Sequence, residues 1–413
     1  MKKPNISSLN PIEFTKVQPL RTETIDKAPA TPIPPLESYR ANAIAKALHP
    51  KRQFVVISKI DEISSDVKTF TLVPNEKKGT TALAYFSAGQ YISVSLTIGQ
   101  ITLNRPYSLS SSPKAALGGE YKITVKRVKD GLATNYILDN FKVGDELEIS
   151  APLGHFCYEP LRDAATVIGL AGGSGITPFL SLAHAIADGD EDANLVLLYG
   201  SRTQKDVLFK NEFDEIAKSC DKVKVVYVLS DESAEGCESG FLTAELIKKY
   251  APEGDYSVFM CGPQAMYVFA DKEIAKLGIR QKFVRHELFG EYHNPEKEAD
   301  YVAPEAPTCK ITVNVRGEKQ VVEASVEDTV LSSLEKHGIR VPAHCRSGEC
   351  GWCHSRLVSG KVYVPKSVDG RRLADLDYGY VHPCCTFPLS DIEIVVYPCL
   401  LYTSDAADDL IGV

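Results

Sequence analysis

The chain has 413 residues, enough for about three compact domains at roughly 150 residues each. Its 46 basic and 54 acidic residues leave a net charge of −8, which argues against a general nucleic-acid or anionic-membrane binder. A hydrophobic share of 44% can build real cores, and no apolar run nears the length of a membrane helix. The start, MKKPNISSLNPIEF, lacks the apolar stretch of a secretory signal, so a cytoplasmic protein is expected.

Residues 1–50 read as an extension, in which the proline-rich run KAPATPIPPLE favours an extended linker and SYRANAIAKALH can form a short helix. From 51 to 158 the pattern changes to short strands, FVVISKI, VKTFTLV, QYISVSL, YKITVKRV and ELEISAP, which predict an antiparallel β-barrel. Two motifs lie inside it: Arg105-Pro106-Tyr107-Ser108 and the turn Gly131-Leu132-Ala133-Thr134. From 159 to 290 the apolar runs TVIGLAG, LVLLYGS, KVVYVLS and YSVFMCG alternate with helical stretches, which predicts an α/β module with a parallel sheet covered on both faces.

The first of these runs ends in a glycine-rich turn containing Gly172, Gly173 and Gly175. Thr177 is the expected N-cap of the following helix, with Pro178 in its first position. A helix start without side chains in the way suits a phosphate. The spacing is neither the Rossmann fingerprint nor a Walker loop, so a tight strand-to-helix connection is the alternative.

The polar stretch 291–307 reads as a second linker. In 308–399 the strands KITVNVRG and IEIVVYP flank a cysteine-rich loop. The tail 400–413, LYTSDAADDLIGV, continues no pattern; it resembles translated adapter sequence, with a native acidic tail as the alternative. Eleven cysteines are too few for a disulfide scaffold in a chain this long, but Cys345, Cys350 and Cys353 form C-x4-C-x2-C, with Cys384 and Cys385 downstream. That is the plant-type [2Fe–2S] spacing. A zinc site would want a second C-x2-C hairpin, which is missing. Gly348 and Gly351 let backbone N–H groups approach the sulfur.

The last segment resembles a plant-type ferredoxin domain, which implies a β-grasp fold. Its GYVHPCCT stretch resembles the family's last-ligand segment, which makes Cys384 the fourth ligand and Cys385 the fallback. Trp352, between two ligands, is expected to shield the cluster or pack nearby. The R-P-Y-S, G-G-S-G-I-T-P and Met260-Cys261-Gly262-Pro263 motifs occur in the order of the ferredoxin–NADP reductase superfamily, and residues 54–290 resemble it. The whole is similar to phthalate dioxygenase reductase and other oxygenase reductases.

The resemblance implies that Arg105 pairs with a flavin phosphate beside the Gly131–Thr134 turn, that Tyr107 stacks on the ring, and that Ser108 lies near its N5. Phe289 covers the other ring face, Cys261 sits beside the nicotinamide with Gly262 and Pro263, and Glu287 either assists there or is a solvated carboxylate. Pro152-Leu-Gly154-His-Phe156 resembles the FAD branch, where an aromatic near this point contacts adenine; FMN is the alternative. Asp231 disfavours a 2′-phosphate and points to NADH, while Arg202 keeps NADPH open. The implied function is an iron–sulfur flavoprotein reductase that passes electrons from NADH to a protein acceptor such as an oxygenase component. A diaphorase-type subunit of a larger redox complex and a non-catalytic wiring module are the alternatives.

Overall fold

The computed structural model describes residues 19, 22–24, 26–27, 38–129 and 131–397. Most of the proline-rich extension, Cys399 and the tail 400–413 lie outside the described residues. The anticipated short helix is present as α1 (Arg40–Leu48). Among the described residues no helix is long and apolar enough to cross a membrane.

The first sheet contains β1 (Gln53–Ser64), β2 (Val67–Pro74), β3 (Tyr91–Ile98), β4 (Ile101–Ser108), β5 (Tyr121–Lys126) and β6 (Glu146–Ile149). All pairs are antiparallel in the order β4-β3-β6-β1-β2-β5, and a single bridge from Leu109 to Ile123 brings the two edges of this half-barrel together. Alternation places Val55, Ile57, Phe70, Leu72, Ile92, Val94, Ile123 and Val125 in its core. β4 is an edge strand, which is where a strand tolerates Pro106. Helix α2 (Leu132–Asn140) starts just after Gly131.

The second sheet contains β7 (Thr166–Gly172), β8 (Asn194–Ser201), β9 (Val223–Leu229), β10 (Glu238–Ser239), β11 (Ser257–Cys261) and β12 (Val284–Glu287). It is wholly parallel in the order β10-β9-β8-β7-β11-β12. Strand order reverses between β7 and β11, so the carboxyl ends of these two strands form the crevice where such sheets bind ligands. The glycine turn forms a 3-10 turn over Gly173–Ile176 that runs into helix α3 (Thr177–Ala187). Thr177 is therefore the first helical residue rather than the N-cap, and its hydroxyl donates to the Ser174 carbonyl at 3.1 Å. The tight turn takes up the residue that a simple cap would have needed.

The third sheet runs β14-β13-β19-β15-β17, built from β13 (Thr308–Val315), β14 (Glu318–Ser325), β15 (Ser355–Ser359), β17 (Tyr380–Val381) and β19 (Ile392–Val396). The first and last long strands, β13 and β19, pair in parallel in its centre, and α4 (Val330–Lys336) packs on it as in a β-grasp fold. A small ladder joins β16 (Val362–Tyr363) to β18 (Phe387–Pro388). The stretch 291–307 is no free linker. Tyr292 is buried and meets Phe387 edge-on at 6.3 Å, and Tyr301 meets Tyr363 at 5.1 Å. Two tyrosines in a polar run were enough to strap it down.

Candidate active site and cluster loop

The end of β4 delivers Arg105, Pro106, Tyr107 and Ser108 to a cavity of about 580 Å³. Gly131, Leu132, Ala133 and Thr134, at the start of α2, line the same space, with Ser174, Thr177 and Phe289. The residues of the Arg105–Ser108 and Gly131–Thr134 motifs are thus brought together around one cavity. The residues fit a phosphate-bearing ligand, since a guanidinium and the N-terminal end of a helix share one wall. The ferredoxin module completes the cavity with Ser332, Lys336 and Arg346.

A second cavity of about 480 Å³ opens where β7 and β11 end, lined by Gly172, Gly173, Gly200, Arg202, Ser230, Pro263 and Met266. Gly175 lies beneath it: a Cβ there would stand 2.3 Å from the Cys261 carbonyl oxygen, so only glycine lets the turn close onto β11. A Cβ at Gly262 would stand 2.5 Å from the Met266 sulfur and 3.3 Å from the Gly172 nitrogen. Cys261 is buried beneath this surface, where desolvation pushes its thiol well above the ordinary range. Asp231 is exposed and accepts from the Ser230 hydroxyl at 2.6 Å, so it meets the cavity through Ser230. Arg202 lines the cavity directly, 3.9 Å from Asp206.

Two expectations need correction. Glu287 is not a solvated carboxylate: it is buried, and burial together with Glu349 and Cys345 raises its pKa well above the usual range. It lines a cleft of about 540 Å³ with Tyr91, Cys345, Glu349 and Cys350, facing the cluster loop. Phe156 does not present its ring to the flavin cavity, because it packs on Phe179 at 5.6 Å and Phe259 at 5.1 Å in the core of the α/β module. Phe289 does border the flavin cavity, and its ring meets Tyr91 edge-on at 5.3 Å. These two rings form the partition between that cavity and the cleft at the cluster loop.

In that loop Cys345 hydrogen-bonds to Cys350 and Cys384, and the Cys353 thiol lies 3.4 Å from Cys384. The bonds from Cys350 and Cys384 hold Cys345 far below the ordinary thiol range, while Cys384 is pushed up by its contact with Cys345. The backbone N–H groups of Ser347 and Cys350 donate to the Cys345 sulfur at 3.4 and 3.3 Å. Gly348 has φ +88°, and a Cβ there would lie 2.2 Å from the Val368 carbonyl oxygen. Among the described residues no three His, Cys, Asp or Glu side chains form a site for a single metal ion. Four gathered sulfurs with inward N–H groups fit an iron–sulfur cluster instead. Cys385 is buried next to Cys384 and Gly348, and its thiol donates to the His382 carbonyl at 3.4 Å. Trp352 remains 39% exposed, edge-on to His344 at 4.3 Å.

Family models match the chain in the same order: an oxidoreductase FAD-binding domain at 54–158, an oxidoreductase NAD-binding domain at 170–272 and a 2Fe-2S iron-sulfur cluster binding domain at 313–389. The ferredoxin reductase component of 3-ketosteroid-9-alpha-monooxygenase from Mycobacterium tuberculosis H37Rv is 32% identical over 76% of this chain and 85% of that protein. The chain belongs to this family of iron–sulfur flavoprotein reductases. It is also 28% identical to the glycine betaine monooxygenase reductase subunit of Pseudomonas aeruginosa PAO1, over 83% of this chain and 95% of that subunit. The structure of phthalate dioxygenase reductase superposes with a TM-score of 0.61 and 25% identity, covering 84% of this chain and 98% of the other. As a reductase of this family, it is an oxidoreductase with FAD-binding, NAD-binding and [2Fe–2S] modules.

Sequence reasoning missed several residues that line these cavities. Lys126 borders both cofactor cavities from the end of β5. Arg346, wholly buried beside Cys345, donates to both Glu335 oxygens at 2.8 and 2.7 Å and also pairs with Glu291. Arg105 stands 3.9 Å from Glu291 and 4.0 Å from Glu335. The only sequence hint was an arginine directly after a cluster cysteine.

Proposed function

We propose that the chain is the NADH-dependent reductase component of a multiprotein oxygenase system of the cytoplasm, with the oxygenase component as its acceptor. The observation that carries this reading is a single cavity lined by Arg105, Thr177 and Arg346, one residue from each module, so a ligand bound there touches all three. Flavin takes two electrons as hydride and releases them singly, and a [2Fe–2S] cluster carries one, so together they turn a two-electron donor into a one-electron supply.

In this assignment Arg105 holds the flavin phosphate as a fixed two-pronged donor, with the N–H groups after Gly131 beside it. Tyr107 and Phe289 would hold the ring of a bound flavin, and Ser108, buried at the end of β4, would offer it a hydroxyl. The turn at Gly172 and Gly173, with Pro263, seats the nicotinamide dinucleotide. Cys261, buried at the end of β11 next to Gly262, lies under this turn, and its register partner Glu287 on β12 faces the cleft at the cysteine loop. Cys345, Cys350, Cys353 and Cys384 hold the cluster.

NADH is favoured over NADPH because Asp231 carries an exposed negative charge beside Ser230, whereas Arg202 already shares its charge with Asp206. The cytoplasmic placement rests on ten free cysteines among the described residues, which suits a reducing compartment. The test is reconstitution with an oxygenase component lacking its own reductase. Product should form only with this chain and a nicotinamide donor present, faster with NADH than with NADPH. Rapid NADH-driven dye reduction with no oxygenase supported would contradict the assigned acceptor.

A further inference from the structure

The ferredoxin region 309–399 contains eleven basic and eleven acidic residues, so its net charge predicts no docking face. Its charges are nevertheless sorted in space. At the seam between the barrel and the ferredoxin module lies a cavity of about 480 Å³, whose rim carries Lys51, Arg52, Glu148, Arg316, Arg340 and Trp352. That sets four cations against one carboxylate. Glu148 lies 3.8 Å from Arg52, and among the described residues Lys51, Arg316 and Arg340 have no ion-pair partner. All four cationic side chains are exposed.

Two further observations mark this cavity. Arg316 occupies the first position of the two-residue turn between β13 and β14 with φ +55°, followed by Gly317 at +90°. Such a turn prefers Asn or Gly there, so an arginine is kept in a costly conformation where its charge reaches the rim. Trp352 sits between the ligands Cys350 and Cys353, 39% exposed, and forms another part of the same wall. A protein seated in this groove would rest directly on the loop that holds the cluster.

We infer that this groove is where the electron acceptor docks, and that it recognises a carboxylate-rich surface of that protein. The inference rests on the reductase reading above but concerns a surface that takes no part in binding flavin, nicotinamide or cluster. Complementary charge of this kind acts on the encounter rate and is weakened by salt.

The test uses the full-length holoprotein and an Arg316→Glu/Arg340→Glu double variant, both positions being exposed. Poly-L-glutamate is titrated while following the emission of Trp352, the chain's only tryptophan. A saturable change is expected in the unaltered protein, lost in the double variant and at high salt, and absent with poly-L-lysine. In parallel, NADH-driven reduction of acidic cytochrome b5 should fall about tenfold in the variant at low salt, with the rate of flavin bleaching by NADH unchanged. Retention in the variant of both the tryptophan response and the cytochrome b5 rate would overturn the assignment, as would an equal response to poly-L-lysine. If NADH failed to bleach the flavin of the unaltered protein, the reductase reading would fall instead, and the tryptophan titration would still decide the docking surface.

Discussion

Where the barrel meets the α/β module, Arg285 donates across the seam to the His155 carbonyl at 2.6 Å and, within its own module, to buried Asp163 at 3.1 and 2.6 Å, with Glu159 3.7 Å away. Where the barrel meets the ferredoxin module, Arg105 and Arg346 share Glu291 and Glu335, and the Nε of Arg346 is buried without a partner. The first seam is closed and saturated. The second draws on Arg105, which also lines the flavin cavity, so its charge balance is tied to the cofactor. A buried ion pair is a weak net stabiliser but a costly thing to break, and that asymmetry makes both seams testable.

The largest effect is expected from Asp163→Ala, which leaves buried Arg285 only the His155 carbonyl and the more distant Glu159 and should cost about 3 kcal/mol of stability in denaturant unfolding. Arg105→Ala should weaken flavin binding about ten- to a hundredfold, read from flavin fluorescence on titration, because a charge-assisted pair is lost from the cavity wall. Glu335→Gln leaves Arg346 its contact with Glu291, so the expected loss is about 1–2 kcal/mol, with faster proteolysis within 291–307 and an unchanged flavin affinity. If Glu335→Gln matched Asp163→Ala, the contrast between the seams would fail. The smallest effect belongs to Asp231→Ser, which should raise kcat/KM for NADPH relative to NADH by up to about tenfold. It should leave unfolding at both seams unmoved.

Much of this was legible in the sequence because it obeys local periodicity. The two-residue alternation of FVVISKI and the unbroken apolar runs TVIGLAG and YSVFMCG became barrel and parallel-sheet strands. The cysteine spacing marked out a loop whose sulfurs do gather. Features that depend on what a distant segment does were not legible. Nothing near Glu287 announces that the cluster loop will cover it, and nothing near Phe156 says that Phe179 and Phe259 will claim its ring. Arg346 finds Glu291 and Glu335 only after two modules meet, so no single motif contains that cluster.

The central claim is that electrons pass from nicotinamide through the flavin to a cluster held by Cys384. Its most direct test is an anaerobic NADH titration of the holoprotein and of Cys384→Ser and Cys385→Ser, followed by visible absorbance and by the paramagnetic signal of the reduced cluster. The unaltered protein and Cys385→Ser should take up two electrons at the flavin and one at the cluster, whereas Cys384→Ser should retain only the flavin uptake. A cluster that stays oxidised after the flavin has bleached, or one that survives Cys384→Ser and is lost in Cys385→Ser, would contradict it.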